Sequence, residues 1–367
     1  MRILNAVAAV LLSTLAVRAE EAAAEPFGPA DDFGGVRVFR VEGSPREIGL
    51  RTGRNFREEI HWLFERYFGA YTEDPELRAS FVANATSLEK HLNPEEREEL
   101  EGLAEGAGFD FGKVLIVHTF LDSIRLVNCS TFVLQPPATK SGELLFGRNL
   151  DFPGRGIAHR HTIVTVTRPR GRFAFASITW PGMSGVLSGM NEHGLSLAVM
   201  NVYNKKDSCE GVPYVLLFRR VLERCRTFDE ARKLLEESKR TCGNNLMVAD
   251  AAGRCGVFEL DHEEFRLREP ENGSVIATNH WRLGGKDPAQ TCPRWFRLNQ
   301  LETAWHGKIG LAEAKKLLQS VPQGDLTLQA MIFLPREREI HLACGELPAT
   351  KGRFRRLHGL FEVPEAK

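Results

Sequence analysis

Apolar residues recur at helical spacing through the first third of the chain and in short, strand-like runs afterwards. The run Val36-Arg37-Val38-Phe39-Arg40-Val41 reads as a strand leading into Ser44-Pro45-Arg46-Glu47, which combines a Ser cap, a proline at the first helical position and an acid in the first turn. That helix is expected to run on through Phe56, Ile60, Leu63 and Phe64, which share one face. Two more helices are expected over 76–92 and 94–106, the second opened by Asn93-Pro94-Glu95-Glu96 and stopped by Gly106, and a last one over 111–124.

From Cys129 the texture changes. Strands are expected over 129–134, 143–149, 162–167, 173–179 and 185–190, with Asn191-Glu192-His193-Gly194 as a hairpin turn and 195–203 as its return. Two amphipathic helices, 212–225 and 228–239, separate these from strands at 245–250, 255–261, 265–268 and 274–278. Helices over 294–305 and 311–318 precede a final hairpin around Leu334-Pro335-Arg336-Glu337. Sequential hairpins with helical pairs between them predict an α+β layered domain, stacked antiparallel sheets covered by helices.

The 48 basic and 48 acidic side chains cancel, so neither a basic face for nucleic acid nor an acidic tail is expected. The first residues carry one arginine, a short apolar run and Val17-Arg18-Ala19, the shape of a secretory signal cleaved after Ala19. The run is short for a membrane span, so no stable anchor is expected, and the location implied is secreted or periplasmic. The stretch 20–35, first Ala/Glu-rich and then rich in Pro, Gly and Asp, reads as a disordered tail. Seven cysteines are compatible with disulfides in an exported chain but leave at least one thiol over, and their pairing is open. No cysteine or histidine spacing suits zinc; neither metal nor cofactor is expected.

Candidate chemistry begins where the textures meet. Cys129 follows Leu126-Val127-Asn128 and opens a strand; alone, such a cysteine reads as a small buried hydrophobe. Phe146-Gly147-Arg148-Asn149-Leu150-Asp151 places a cation, an amide and a carboxylate together. In a strand, Arg148 and Asn149 point to opposite faces, and Arg148 and Asp151 need a bend to converge. Asn201 ends an apolar return strand, where its amide N–H suits an oxyanion hole or simply its own loop. Asn279 closes another apolar strand in Ile276-Ala277-Thr278-Asn279-His280-Trp281, before Cys292-Pro293-Arg294-Trp295. His280 raises a Cys–His dyad, against the plainer reading of a hydrogen-bonding loop histidine.

Together these segments resemble the cysteine-dependent N-terminal nucleophile hydrolases, and among them the acyl-coenzyme A:6-aminopenicillanic acid acyltransferase family; bile salt hydrolase, acid ceramidase and N-acylethanolamine acid amidase look like more distant relatives. Glu42-Gly43-Ser44-Pro45-Arg46-Glu47-Ile48-Gly49 and the stretch 99–111, with Leu100-Glu101-Gly102-Leu103-Ala104-Glu105-Gly106, resemble the family's prodomain. The loop Gln135-Pro136-Pro137-Ala138-Thr139-Lys140 is slightly longer than in some relatives, and Ser130 stands where many have Thr. The resemblance implies a four-layer αββα sandwich with a helical prosegment over 36–128 and a catalytic domain over 129–367. It implies Cys129 as the nucleophile, Arg148 and Asp151 holding its amine and shaping the site, Asn201 as an oxyanion donor, Asn279 as the other polar group beside the nucleophile, and Arg294 as the family's later arginine.

The chemistry accounts for the arrangement. A thiol at neutral pH needs a base, and a terminal α-amine titrates at about 7.7–8.0. Cutting Asn128–Cys129 would place nucleophile and base on one residue. The expected activity is amide hydrolysis of a small N-acyl substrate through a thioester, with the two fragments remaining associated. Acyl transfer to an amine uses the same residues. A non-catalytic secreted protein of the same fold, or a scaffold with Cys129 in a disulfide, are readings from another class.

Overall fold

The computed structural model describes residues 33–124, 128–203, 207–283 and 292–362. The signal expected over 1–19 and the tail up to 32 lie outside the described residues. In chain order the elements are β1 (Arg37–Gly43), α1 (Pro45–Asn55), α2 (Arg57–Leu63), α3 (Pro75–Glu89), α4 (Pro94–Ala107), α5 (Phe111–Thr119), β2 (Ser130–Leu134), β3 (Leu145–Asp151), β4 (Ile163–Pro169), β5 (Phe175–Thr179), β6 (Ser188–Asn191) and β7 (Ser196–Asn201). Then come α6 (Tyr214–Arg224), α7 (Phe228–Glu237), β8 (Asn244–Ala249), β9 (Cys255–Leu260), β10 (Phe265–Arg268), β11 (Ser274–Ala277), α8 (Pro293–Trp305), α9 (Leu311–Gln319), β12 (Thr327–Leu334), β13 (Glu339–Cys344) and β14 (Arg355–Leu357).

Both predicted helix starts carry full capping boxes, Ser44 with Glu47 and Asn93 with Glu96. The first helix does not run through to Phe64. It breaks at Phe56, whose φ is −112°, and after α2 the chain passes through a π turn over Phe64–Phe68. The helix expected over 111–124 stops at Thr119 and ends in a 3₁₀ turn, Phe120–Asp122. The strand expected from residue 185 begins only at Ser188, because the Val186 N–H donates to Val215 O at the head of α6 instead of to a strand.

The strands form an eight-stranded sheet, β1-β4-β5-β6-β7-β8-β9-β10, and a six-stranded one, β11-β2-β3-β12-β13-β14. Hairpin succession holds for the first sheet from β4 onward. In the second, β11 and β12 return from far along the chain to flank β2 and β3. The sheets stack through one core that holds Val133, Phe146 and Leu150 of one and Val164, Ala176 and Ala198 of the other. On the far side of the six-stranded sheet, Phe132, Leu134 and Leu145 pack under Leu298 of α8 and Leu317 of α9. On the far side of the other sheet, Phe228 of α7 stacks on Phe258 of β9, and Asn191 Nδ2 donates to Leu222 O of α6. The layer order is αββα, as expected.

The segment before Cys129 is more than a helical annex, since β1 pairs in parallel with β4 at the edge of the large sheet. Its two family-like stretches meet each other. Gly49 and Gly53 of α1 face Gly102 and Gly106 of α4 so closely that a Cβ on Gly49 would lie 2.0 Å from Glu99 O, and one on Gly106 would lie 2.4 Å from Leu50 O. Only backbone fits between these helices. Gly49→Leu should therefore destabilise the protein by roughly 3 kcal/mol, the upper end for overpacking, measured by urea denaturation against wild type.

Buried charge joins the same segment to the rest of the chain. Arg219 of α6 donates both Nη atoms to Glu99 of α4, at 2.6 and 2.5 Å, and Nε to Glu223 at 2.8 Å. Glu59 of α2 accepts from Arg37 and lies 2.6 Å from Nδ1 of His161. Removing one member of such a set would leave a charge buried without its partner, so these links resist separation of the two segments.

Candidate active site

Cys129 sits one residue ahead of β2, at the edge of the gap between the sheets. It shares strand parity with Thr131 and Val133, so its thiol points into the inter-sheet core, fully buried, while Asn128 is exposed. The backbone around it is gripped on several sides. Its N–H donates to Asn279 Oδ1 at 2.6 Å, and its carbonyl accepts from Arg294 Nη1. Arg294 Nη2 donates to the same Asn279 Oδ1 at 3.1 Å. The Asn128 N–H donates to Asp151 O at 3.0 Å.

Arg148 and Asn149 diverge as the strand period requires. Arg148 crosses the inter-sheet gap to donate to Val199 O at 2.6 Å, and Asn149 reaches the opposite face to donate to Leu318 O at 2.9 Å. Arg148 is fully buried, and its Nε and Nη2 have no partner. Asp151 lies on the other parity and approaches Arg294, Oδ2 to Nη1 4.0 Å, while Oδ1 accepts from Thr327 Oγ1 at 2.6 Å. Arg148 and Asp151 do not converge as expected but keep to opposite faces of β3, and the register shift lies in β12, between Thr327 and Gln329.

Asn201 joins the group through its main chain, since Asn279 Nδ2 donates to Asn201 O at 2.8 Å. Its side-chain amide turns toward Asn244 Oδ1 at 3.4 Å and Cys242 Sγ at 3.9 Å, contacts long enough to yield to a stronger acceptor. Cys129, Asn279, Arg294, Asp151 and the Asn201 carbonyl are thus linked in one set of contacts, and Arg148 is tied to it only through its charge near the Cys129 thiol. In the intact chain the Cys129 N–H donates to the amide oxygen of Asn279, whereas the role the resemblance implied for Arg148 and Asp151 concerns the amine that a cut would release. His280 is no partner for Cys129 among the described contacts: its ring meets Thr278 Oγ1, and burial, together with Arg294 and other cations, lowers its pKa to about 4.

Two further residues hold the site and escaped the sequence reading. Asn245 Nδ2 donates to both Thr278 O and His280 O at 2.8 Å, fixing the turn that presents Asn279. Asn244 lies opposite Asn201 in the β7–β8 register. The available signal was the polar pair Asn244-Asn245 opening an otherwise apolar strand, the same signal that marked Asn201 and Asn279.

Burial pushes the Cys129 thiol up, and the Asp151 carboxylate adds to this, while Arg148, Arg294 and a backbone hydrogen bond from Asp151 act the other way. In the uncut chain the thiol is therefore held as the neutral form at neutral pH. Burial also raises Asp151 to about 6 from 3.8, against Thr327 and the two arginines. Between those values the folded chain holds a proton that the unfolded chain has lost. This group therefore makes stability fall as pH rises through that window. Asp151→Asn should remove that part of the slope, read from denaturation midpoints between pH 4 and 6.5 for variant and wild type.

All seven cysteines lie among the described residues and none is disulfide-bonded. Among the described residues no cluster of His, Cys, Asp and Glu could hold a metal, and no helix is long and apolar enough to cross a membrane. An apolar cavity of about 110 Å³ opens between the sheets and the helices of the first segment. Its walls include Phe64, Leu103, Phe120 and Trp180, and Arg148 and Asn201 form part of its lining.

The chain is 27% identical over 247 residues to protein dcd1A of Dictyostelium discoideum, an alignment covering 59% of this chain and 55% of that protein. It is 23% identical over 233 residues to an N-acylethanolamine-hydrolyzing acid amidase of Caenorhabditis elegans, covering 58% and 59%. It thus spans little more than half the length of the curated relatives it matches. The solved structure of a Caenorhabditis elegans N-acylethanolamine-hydrolyzing acid amidase ortholog superposes with a TM-score of 0.49 at 18% identity, covering 57% of this chain and 93% of that one. Residues 138–345, a stretch that begins after Cys129 and contains Arg148, Asp151, Asn201, Asn279 and Arg294, match a family profile. By that match the chain belongs to the acyl-coenzyme A:6-aminopenicillanic acid acyl-transferase family.

Proposed function

We propose that this protein is a self-cleaving cysteine amidohydrolase, activated by a cut between Asn128 and Cys129, that releases an apolar acyl group from a small linear amide. The observation that carries this reading is the grip on Cys129. Asn279 and Arg294 hold its nitrogen and carbonyl, while its thiol faces inward near Arg148. In maturation the Cys129 sulfur attacks the Asn128 carbonyl carbon. The C–N bond breaks, the nitrogen takes a proton, and water then splits the thioester to give the Asn128 carboxylate and a free Cys129 thiol. The new α-amine stays beside Asn279 Oδ1 and serves as the base.

In turnover the amine takes the thiol proton as sulfur attacks the substrate carbonyl, and Asn201 Nδ2 turns from Asn244 to the oxyanion. The amine then protonates the leaving amine, and water resolves the acyl-thioester. The apolar lining of the cavity supports an apolar acyl group, with the scissile amide placed at Arg148 and Asn201. The name of the C. elegans amidase supports the same bond type.

The segment 36–128 would become one chain and 129–367 the other. The buried Glu99–Arg219–Glu223 set and the β1–β4 pairing favour their staying together. Transfer of the acyl group to an amine acceptor is the second reading, favoured by the family's acyl-transferase description. Mass spectrometry of the purified wild type tests maturation: the expected masses are a fragment ending at Asn128 and one starting at Cys129. A product assay with water alone and with an added amine acceptor separates hydrolysis from transfer.

A further inference from the structure

We propose that Asn245 is a positioning residue for this reaction, holding Asn279 where its amide oxygen receives the Cys129 nitrogen, first as the peptide N–H and then as the amine that the cut releases. The inference rests on the N-terminal-nucleophile reading above. Asn245 is fully buried in β8, opposite Met200 of β7, and its side chain reaches from the large sheet to the residues just past β11 of the small one. One nitrogen, Nδ2, donates to Thr278 O and to His280 O, each at 2.8 Å. A primary amide carries two hydrogens on one nitrogen, and here both go to the carbonyls that flank Asn279. An aspartate of the same shape has neither. The amide oxygen of Asn245 is shielded and has no partner among the described residues, so the two donated bonds are what offsets burying this polar side chain.

Asn279 needs the support because of where it sits. β11 ends at Ala277, paired with Thr131, so residues 278–280 lie past the last ladder pair of the small sheet. Yet the Asn279 side chain joins three segments. Its Oδ1 accepts the Cys129 N–H at 2.6 Å and Arg294 Nη2 at 3.1 Å, and its Nδ2 donates to Asn201 O at 2.8 Å. A clamp on both sides of the residue fixes its main chain, and with it the direction of the amide. Once the cut is made, a protonated amine donates to that oxygen, which favours the charged form. The Asp151 carboxylate of β3 acts in the same sense, whereas Arg148 of β3 and Arg294 of α8 oppose it. His280, lowered to about 4, is neutral near pH 7. Loosening the clamp should therefore both misplace the base and weaken it.

In Asn245→Ala the cut should slow, and the matured enzyme should lose roughly 10–100-fold in kcat with KM little changed, the scale expected for a misplaced reacting group. The acid limb of its kcat–pH profile should move to lower pH. Met247→Ala removes a fully buried side chain from the same face of β8, so it should lower the melting temperature and leave that limb in place. Asn245→Ser, where a water can stand in for the amide, serves if the alanine variant does not fold. A second measurement needs no cut: in the uncut Cys129→Ala chain, hydrogen exchange at the residue 129 amide, followed by NMR, should quicken when Asn245→Ala is added. Unchanged exchange there, a wild-type kcat and pH profile in Asn245→Ala, or the same profile shift in Met247→Ala would each overturn the assignment. A wild type that never cuts would defeat the nucleophile reading, and the role in the reaction with it; that failure is told apart because the exchange at residue 129 would still respond.

Discussion

Cys129→Ala should purify as one uncut chain and release no carboxylic acid from any N-acyl amide that the wild type hydrolyses. The thiol is the attacking atom both in the cut and in turnover, and Asn279 and Arg294 hold the Cys129 backbone beside it. Cys129→Ser should cut slowly, because a hydroxyl is a weaker nucleophile at neutral pH. Burial raises the pKa of the thiol before the cut, so maturation by the wild type should itself be slow until a base is within reach. Gel electrophoresis and intact-mass measurement over time follow the cut. Wild-type protein that hydrolyses amides at full rate with Asn128–Cys129 unbroken would show the N-terminal-nucleophile mechanism to be wrong.

Asn201→Ala should lower kcat by roughly 10²–10³-fold with a much smaller change in KM, the signature of a donor used chiefly in the transition state. The resting side chain supports this role, because its amide rests on two long contacts, Asn244 Oδ1 at 3.4 Å and Cys242 Sγ at 3.9 Å. Little is lost when it turns to a developing oxyanion. The main-chain bond from Asn279 to Asn201 O stays in the variant, so the site's frame survives. Steady-state kinetics on the matured variant measures the effect, and a proportionate rise in KM with kcat unchanged would reassign Asn201 to substrate binding. Asn244→Ala should have a milder effect on kcat, since it orients the donor and does not replace it.

Elements with local signals could be read from the amino acids alone. The caps at Ser44 and Asn93, the turn at Asn191-Glu192-His193-Gly194 and the opposite facing of Arg148 and Asn149 follow from backbone stereochemistry and strand period, and each stands in the structure. Part of the site was legible for a related reason: a polar side chain closing an apolar strand has to be placed for something, and Asn279 meets the Cys129 N–H while Asn201 joins through its carbonyl. Everything that depends on partners distant in sequence had to await the folded chain. Nothing local says that β1 pairs in parallel with β4, or that β11 and β12 flank β2 and β3, because a strand's period fixes its faces and leaves its neighbours open. Nor does it say that the two glycine-bearing stretches before Cys129 are the two sides of one helix contact. The grip on the Cys129 nitrogen went to Asn279 for the same reason. Asp151 is near in sequence, but its side chain is taken by Thr327 and Arg294, which folding brings to it from far down the chain.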